Sequence, residues 1–141
     1  MKILLTLILL LFFGIYNVFA QSIYKVNLGN CNTQRFALES VDKIAEIENQ
    51  ELIKSVAKLI TPEQRKKIRG ILKLQIIVYK EGNSCLLSYE NETNINSLEL
   101  DFDKFKDFID SNLEWKNGKQ NVAALIEIKF KRKKLKFLDL E

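Results

Sequence analysis

The spacing of apolar residues changes repeatedly along this chain, and each change predicts a new element. After Lys2, residues 3–13 are almost unbroken apolar sequence, ended by Gly14. Val18-Phe19-Ala20 then offers small residues at the −3 and −1 positions of a cleavage site before Gln21, which is the layout of a secretory signal peptide. An uncleaved anchor is the rival, because the apolar stretch is about 18 residues and a spanning helix needs roughly 20. The cleavage-site residues and the lack of a basic flank behind them favour removal. No Cys follows Ala20, which argues against lipidation. The expectation is a chain secreted across the inner membrane and residing in the periplasm or cell envelope. It would begin at Gln21 and not span the membrane.

Residues 22–28 are rich in strand formers and predict a short strand, with Gly29-Asn30-Cys31-Asn32 as a turn. Over 34–60 the period becomes helical, with Phe36, Val41, Ile44, Ile47, Leu52, Val56 and Leu59 in step and a break at Asn49-Gln50. Thr61 and Pro62 predict a fresh helix start, as N-cap and first helical residue, and Gly70 its C-terminal cap. The period then falls to two. Leu72, Leu74, Ile76 and Val78 form one strand face, with Lys73, Gln75 and Tyr79 on the other. Glu81-Gly82-Asn83 predicts a hairpin turn, residues 85–90 the returning strand and 91–96 a polar loop. That loop holds the sequon Asn91-Glu92-Thr93, of consequence only in a eukaryotic secretory host.

Helical spacing returns over 98–113, where Phe102, Phe105, Ile109 and Leu113 share a face with Phe108 beside them. An aromatic stripe of this kind predicts a helix covering a sheet. Trp115, the one tryptophan, should be a buried anchor where that helix hands over to the last strand. Asn117-Gly118 is a turn signal, and Val122, Ala124, Ile126, Ile128 and Phe130 then alternate as a strand. The apolar parity flips beyond Arg132, which predicts a bulge or the strand's end near 132–134. The fold class expected is α+β: a small antiparallel three-stranded sheet with a helix packed on one face, preceded by a helical N-terminal segment. Residues 21–60 and 61–141 should form one unit.

Composition narrows the chemistry. The formal charge of +4 drops to about +3 without Lys2, which is too little to imply nucleic acid. Cys31 and Cys85 form an even pair, and in an oxidising compartment they predict one disulfide. There is no His, so no Ser-His-Asp, Cys-His or His-based metalloprotease arrangement can be built. Glu90, Glu92, Asp101 and Asp103 lie in polar stretches where nothing should raise a carboxyl pKa. No enzyme, metal or cofactor is expected.

The order helix, strand, hairpin, strand, helix, strand over 62–137 is similar to the C-terminal domain of the TonB energy transducers. Three local features carry the resemblance. Pro62 opens a short helix leading to Gly70 and an alternating strand, Gly82 falls twelve residues later, and Trp115-Lys116-Asn117-Gly118-Lys119 resembles the family's Trp-x-Pro-Gly-Lys motif. Asn117 stands where that motif has proline, and the chain has a single Pro and so no Pro-rich linker. The resemblance implies the fold without the force-transmitting role, and fold alone does not assign function. It further implies a non-enzymatic module that adds an extended peptide of an envelope protein to a sheet edge. The last strand, through Val122, Ala124, Ile126, Ile128 and Phe130, is the expected edge. A second expectation is a basic adaptor. Lys129, Lys131, Arg132, Lys133, Lys134 and Lys136 put six cations into eight residues, fit for anionic lipid, polysaccharide or an acidic protein. Segment 34–60 could pack in the same unit or mediate a homodimer.

Overall fold

The computed structural model describes residues 22–33, 37–38, 45, 47–116, 120–131 and 134–139, with 37–38, 49 and 134–139 described by backbone alone. The signal-peptide reading therefore lies outside the described residues, as do Asn117-Gly118 and Arg132-Lys133. In chain order the strands are β1 (Val26–Asn27), β2 (Ala37–Leu38), β3 (Gly70–Val78), β4 (Ser84–Thr93), β5 (Val122–Lys131) and β6 (Lys134–Asp139). The helices are α1 (Asn49–Leu59), α2 (Pro62–Lys67) and α3 (Phe102–Asn112), with a 3-10 turn at Ser97–Glu99.

The class is mixed α+β, built on four antiparallel strands in the order β4-β3-β5-β6. The predicted sheet had three. The fourth strand is β6, which returns along β5 over six registers from Ile126↔Asp139 to Lys131↔Lys134. The parity flip near Arg132 thus marks a strand end and a reversal of the chain. Two short strands complete the edges: β1 lies antiparallel on β4, and β2 lies parallel to β5 at Val122 and Ala123. Ala37–Leu38 is extended where a helical period was expected, and within 34–60 the described helix begins only at Asn49. Pairing with β5 outweighs the weak local helical preference of two residues, as tertiary context commonly does.

Helix starts follow the sequence closely. Thr61 Oγ1 accepts from Gln64 N at 3.2 Å, and Gln64 Oε1 accepts from Thr61 N at 2.8 Å, a complete capping box with Pro62 behind it. Asp101 caps α3 by accepting from Lys104 N at 3.2 Å. Gly70 is no helix cap, since α2 ends at Lys67 with Ile68 as its C-cap. Gly70 instead opens β3 at φ +111°, where a Cβ would run into the Glu92 carbonyl. Only glycine suits such a close approach in that conformation.

The inner sheet face packs Leu72, Leu74, Ile76, Val78, Leu86, Tyr89, Val122, Ala124, Ile126, Ile128 and Phe130 against both longer helices. α1 contributes Leu52, Val56 and Leu59, and α3 contributes Phe102, Phe105 and Ile109. Two helices therefore serve the face for which one was predicted. A bulge makes this face complete. Gln75 pairs with Ser88 but Ile76 pairs with Leu86, which leaves Leu87 as the extra residue. Leu86 and Tyr89 consequently both reach the core, and the Tyr89 ring stacks on Phe102 with centroids 3.6 Å apart. The outer face carries a smaller cluster of Ile77, Leu87 and Ala123, with Cys31 and Tyr79 packed on it.

Trp115 is buried as expected, at 6% exposure. Its backbone N–H donates to the Gly82 carbonyl at 2.8 Å, so the segment after α3 is docked on the β3–β4 turn. Gly82, at φ +93°, has the Trp115 carbonyl 2.7 Å from where a Cβ would stand. Gly70 and Gly82, two of the glycines on which the resemblance drew, are thus points of close backbone contact.

Candidate functional site

The expected docking strand is not an edge. β5 pairs with β3 from Val122 to Phe130 on one side, while on the other β2 takes Val122 and Ala123 and β6 takes Ile126 to Lys131. Val122, Ala124, Ile126, Ile128 and Phe130 are all buried at 5% exposure or less. The alternation of these residues along β5 is what fills the core. β6 is the long strand at this side of the sheet, and no described strand pairs with its far side.

The opposite side, along β4, is closed by other means. Leu86 N donates to Asp110 Oδ1 at 2.7 Å, and the Leu86 carbonyl accepts from Lys106 Nζ at 3.0 Å. Two side chains of α3 thereby give the β4 backbone what a neighbouring strand would. Lys106 and Asp110, one helical turn apart, also pair with each other at 2.7 Å. The next stretch is covered by β1 and by Leu28 N donating to the Leu87 carbonyl at 2.9 Å.

Residues 22–33 form a strap that crosses from that edge onto the outer face. Ile23 N donates to Gln75 Oε1 at 2.8 Å, and Tyr24 N donates to Ser88 Oγ at 3.4 Å. Ser88 Oγ in turn donates to Gln75 Oε1 at 2.6 Å, and both residues are wholly buried. Gln75 Nε2 has no partner among the described residues. Burial and the nearby Glu127 carboxylate push the Tyr24 hydroxyl above its ordinary pKa. The strap is locked by the predicted disulfide. Cys31 and Cys85 are bonded, with Cα atoms 5.7 Å apart and a sequence separation of 54.

Two of the carboxylates singled out in the sequence, Glu90 and Asp101, are ion-paired. The Lys25 ammonium, hydrogen-bonded at 2.5 Å, holds Glu90 below the usual carboxylate range. Lys104 does the same for Asp101. The sequon's Asn91 is engaged, its Nδ2 donating to the Ile95 carbonyl and to Ser97 Oγ. A half-open cleft of about 560 Å³ lies between α1 and the segment after α3, lined by Glu48, Glu51, Glu114, Lys116 and Trp115 among others. Sequence reasoning did not find it, because helix packing joins its two parts from positions some sixty apart.

The basic run is only partly in view. Lys129 is half-buried and Lys131 exposed, while Lys134 and Lys136 are backbone positions of β6. The register supplies what the sequence did not. Phe130 lies opposite Gly70, which brings Lys131 to the level of Arg69 and so to the end of α2, with its exposed Arg65, Lys66 and Lys67. Lys131 and the basic residues of α2, about sixty residues apart in sequence, therefore lie at the same end of the sheet.

Comparisons with protein-family models, with curated proteins and with solved structures returned no match to this chain.

Proposed function

We propose that this chain is an exported, non-enzymatic binding module of the cell envelope, resembling a TonB C-terminal domain, that adds an extended segment of a partner protein to its sheet. The observation that carries the reading is that no described strand pairs with the far side of β6, whereas the opposite edge is occupied by a strap and two helix side chains. An unpaired strand supplies backbone hydrogen bonds to any extended peptide, and its neighbours supply selectivity. Lysines in such a strand discourage self-pairing, and β6 has Lys134 and Lys136. Export is supported by residues 1–20 and by the disulfide, a bond that persists in oxidising compartments. Intact mass of the exported protein should correspond to a start at Gln21.

Proline substitution tests the edge. Along an antiparallel strand alternate N–H groups face the neighbour and the outside. Lys134→Pro with Lys136→Pro removes one set, and Leu135→Pro strikes the other. One of these variants should keep the melting temperature and lose capture of the envelope partner, while the other should be destabilised. Capture at wild-type strength by both would overturn the reading.

A second reading is favoured by the convergence of the two basic runs: the end of the sheet near Arg69 and Lys131 docks an anionic surface. Its binding should weaken steeply with salt, whereas backbone pairing at β6 should weaken little.

A further inference from the structure

We infer that α2 and the loop 94–100 form a rigid platform that seats on an anionic phospholipid surface, with Leu98 entering the lipid. This rests on the basic-surface reading for its charge. It goes beyond that reading in naming the partner, the apolar contact and the loop.

Leu98 is 94% exposed, the most exposed large apolar side chain among the described residues, where the next is Ile23 at 48%. Its surroundings are fixed. Ile95 and Leu100, on either side, are buried at 8% and 6% and pin the loop to the core. Leu98 N donates to Asn96 Oδ1 at 3.0 Å, closing the turn that presents the side chain. Single exposed leucines are ordinary in proteins. What distinguishes this one is the element to which its loop is fastened.

The fastening is to α2 and the residues after it. Gln64 Nε2 donates to the Glu99 carbonyl at 2.7 Å, and Asn94 Nδ2 to the Lys67 carbonyl at 3.2 Å. Asn94 and Arg69 exchange a further pair, Arg69 N to Asn94 Oδ1 at 2.5 Å and Asn94 N to the Arg69 carbonyl at 2.9 Å. Loop and helix therefore move as one body. α2 buries none of its residues, which is unusual for a helix whose stability must come from packing. Its capping box and this loop hold it in place while leaving Arg65, Lys66 and Lys67 in solvent.

The charge is net positive. This body carries four cations, Arg65, Lys66, Lys67 and Arg69, against two acids, Glu63 and Glu99, and the β3–β5 register places Lys131 at the same end of the sheet. A basic surface with a projecting leucine matches a membrane interface, where headgroup phosphates meet the cations and hydrocarbon lies just beneath. A soluble polyanion would satisfy the cations and offer the leucine nothing.

The test uses protein purified after export, its mass recorded, and vesicles of phosphatidylcholine with or without about one third phosphatidylglycerol. Co-sedimentation should occur with the anionic vesicles and not with the neutral ones. Lys66→Glu with Lys67→Glu should weaken it at least about twentyfold, at roughly fivefold for each basic residue lost. Leu98→Ser should weaken it about fivefold, since an apolar contact is lost with no change of charge. Leu98→Trp should bind, with a fluorescence blue shift on vesicle addition. Melting temperatures should stay unchanged, because all three positions are exposed. Equal binding to neutral vesicles would overturn the proposal, as would anionic binding that ignores both Leu98→Ser and the charge reversal. Salt-sensitive binding to soluble dextran sulfate with no binding to vesicles would also overturn it, yet leave the basic-surface reading standing. Binding to neither polyanion nor vesicles would remove both.

Discussion

The two faces of this sheet are covered by opposite means. The inner face is sealed by two helices that contribute large apolar side chains, among them Phe105 and Ile109 at zero exposure. The outer face is crossed by an extended strap that contributes mainly backbone N–H groups, met by the buried acceptors Gln75 and Ser88. Apolar burial is non-directional and roughly proportional to area, so the inner face gains from every methylene that fits. A strap of a dozen residues cannot bury comparable area, and a polar contact nets only about 1 kcal/mol. A covalent link makes good the difference. The disulfide sits at the strap's far end and not within the helix-covered core, which is where a chain-entropy contribution is needed most.

Removing a core ring should produce the largest effect. Phe105→Ala is expected to cost about 3–5 kcal/mol, as wholly buried aromatics do. Denaturant unfolding measures it, and a loss below about 1 kcal/mol would show that the inner face does not carry the fold. Trp115→Ala belongs to the same class, with the added prospect that the β3–β4 turn loosens where Gly82 and Trp115 meet.

Opening the disulfide should separate the faces. Cys31→Ser with Cys85→Ser is expected to cost about 3 kcal/mol, within the usual range for a native bridge closing a loop of this length. Hydrogen exchange should then rise over the strap at 23–28 while α1 and α3 keep their protection and far-ultraviolet signal. Simultaneous loss of protection in strap and helices would mean that the two faces fold as one cooperative unit, and the contrast drawn above would fail.

Ser88→Ala probes the polar contacts alone. It leaves Tyr24 N without its acceptor and takes from Gln75 Oε1 one of its two donors, with Ile23 N keeping the other, for an expected loss of about 1 kcal/mol. Faster exchange at the Tyr24 amide is the local signature, and an unchanged rate would remove Ser88 from the strap's supports.

The same contrast explains what the sequence disclosed. The inner face was legible because strong periodicities wrote it: Phe102, Phe105 and Ile109 at helical spacing, Leu72 to Val78 and Val122 to Phe130 at strand spacing. Cys31 and Cys85 were legible because two cysteines, read in an oxidising compartment, have one possible pairing. The bulge at Leu87 was not, since Cys85-Leu86-Leu87-Ser88-Tyr89 holds apolar residues in either register. β6 was half-visible. The parity flip announced a break, but no Gly, Pro or Asn stands between Lys131 and Lys134 to announce a turn. The candidate site was legible least of all. Which strand lies at an edge depends on pairings between distant segments, and so do the meeting of Arg69 with Lys131 and the pinning of Leu98 to α2.

Acid should produce the smallest effect, and it bears on both faces through different groups. Glu90 anchors the strap through Lys25, and its carboxyl is held below the ordinary value of 4.5 chiefly by that hydrogen bond. A carboxylate whose pKa is depressed on folding binds fewer protons in the folded than in the unfolded state. Its contribution is therefore fully present above about pH 4.5 and is lost as pH falls through the lower folded value. Asp101 follows the same sign from its ordinary 3.8, held down by Lys104, and what it loses is the cap of α3. Lys25 and Lys104 are largely exposed, so solvent screening keeps both contributions small. Exchange at Val26 and Asn27 should quicken as Glu90 titrates, and the first turn of α3 should loosen as Asp101 does. Lys25→Gln should return the Glu90 midpoint toward 4.5 and leave that of Asp101 in place. A Glu90 midpoint at or above 4.5 in the wild-type protein, read from its side-chain carboxyl carbon by NMR, would show that Lys25 does not tie the strap to the sheet.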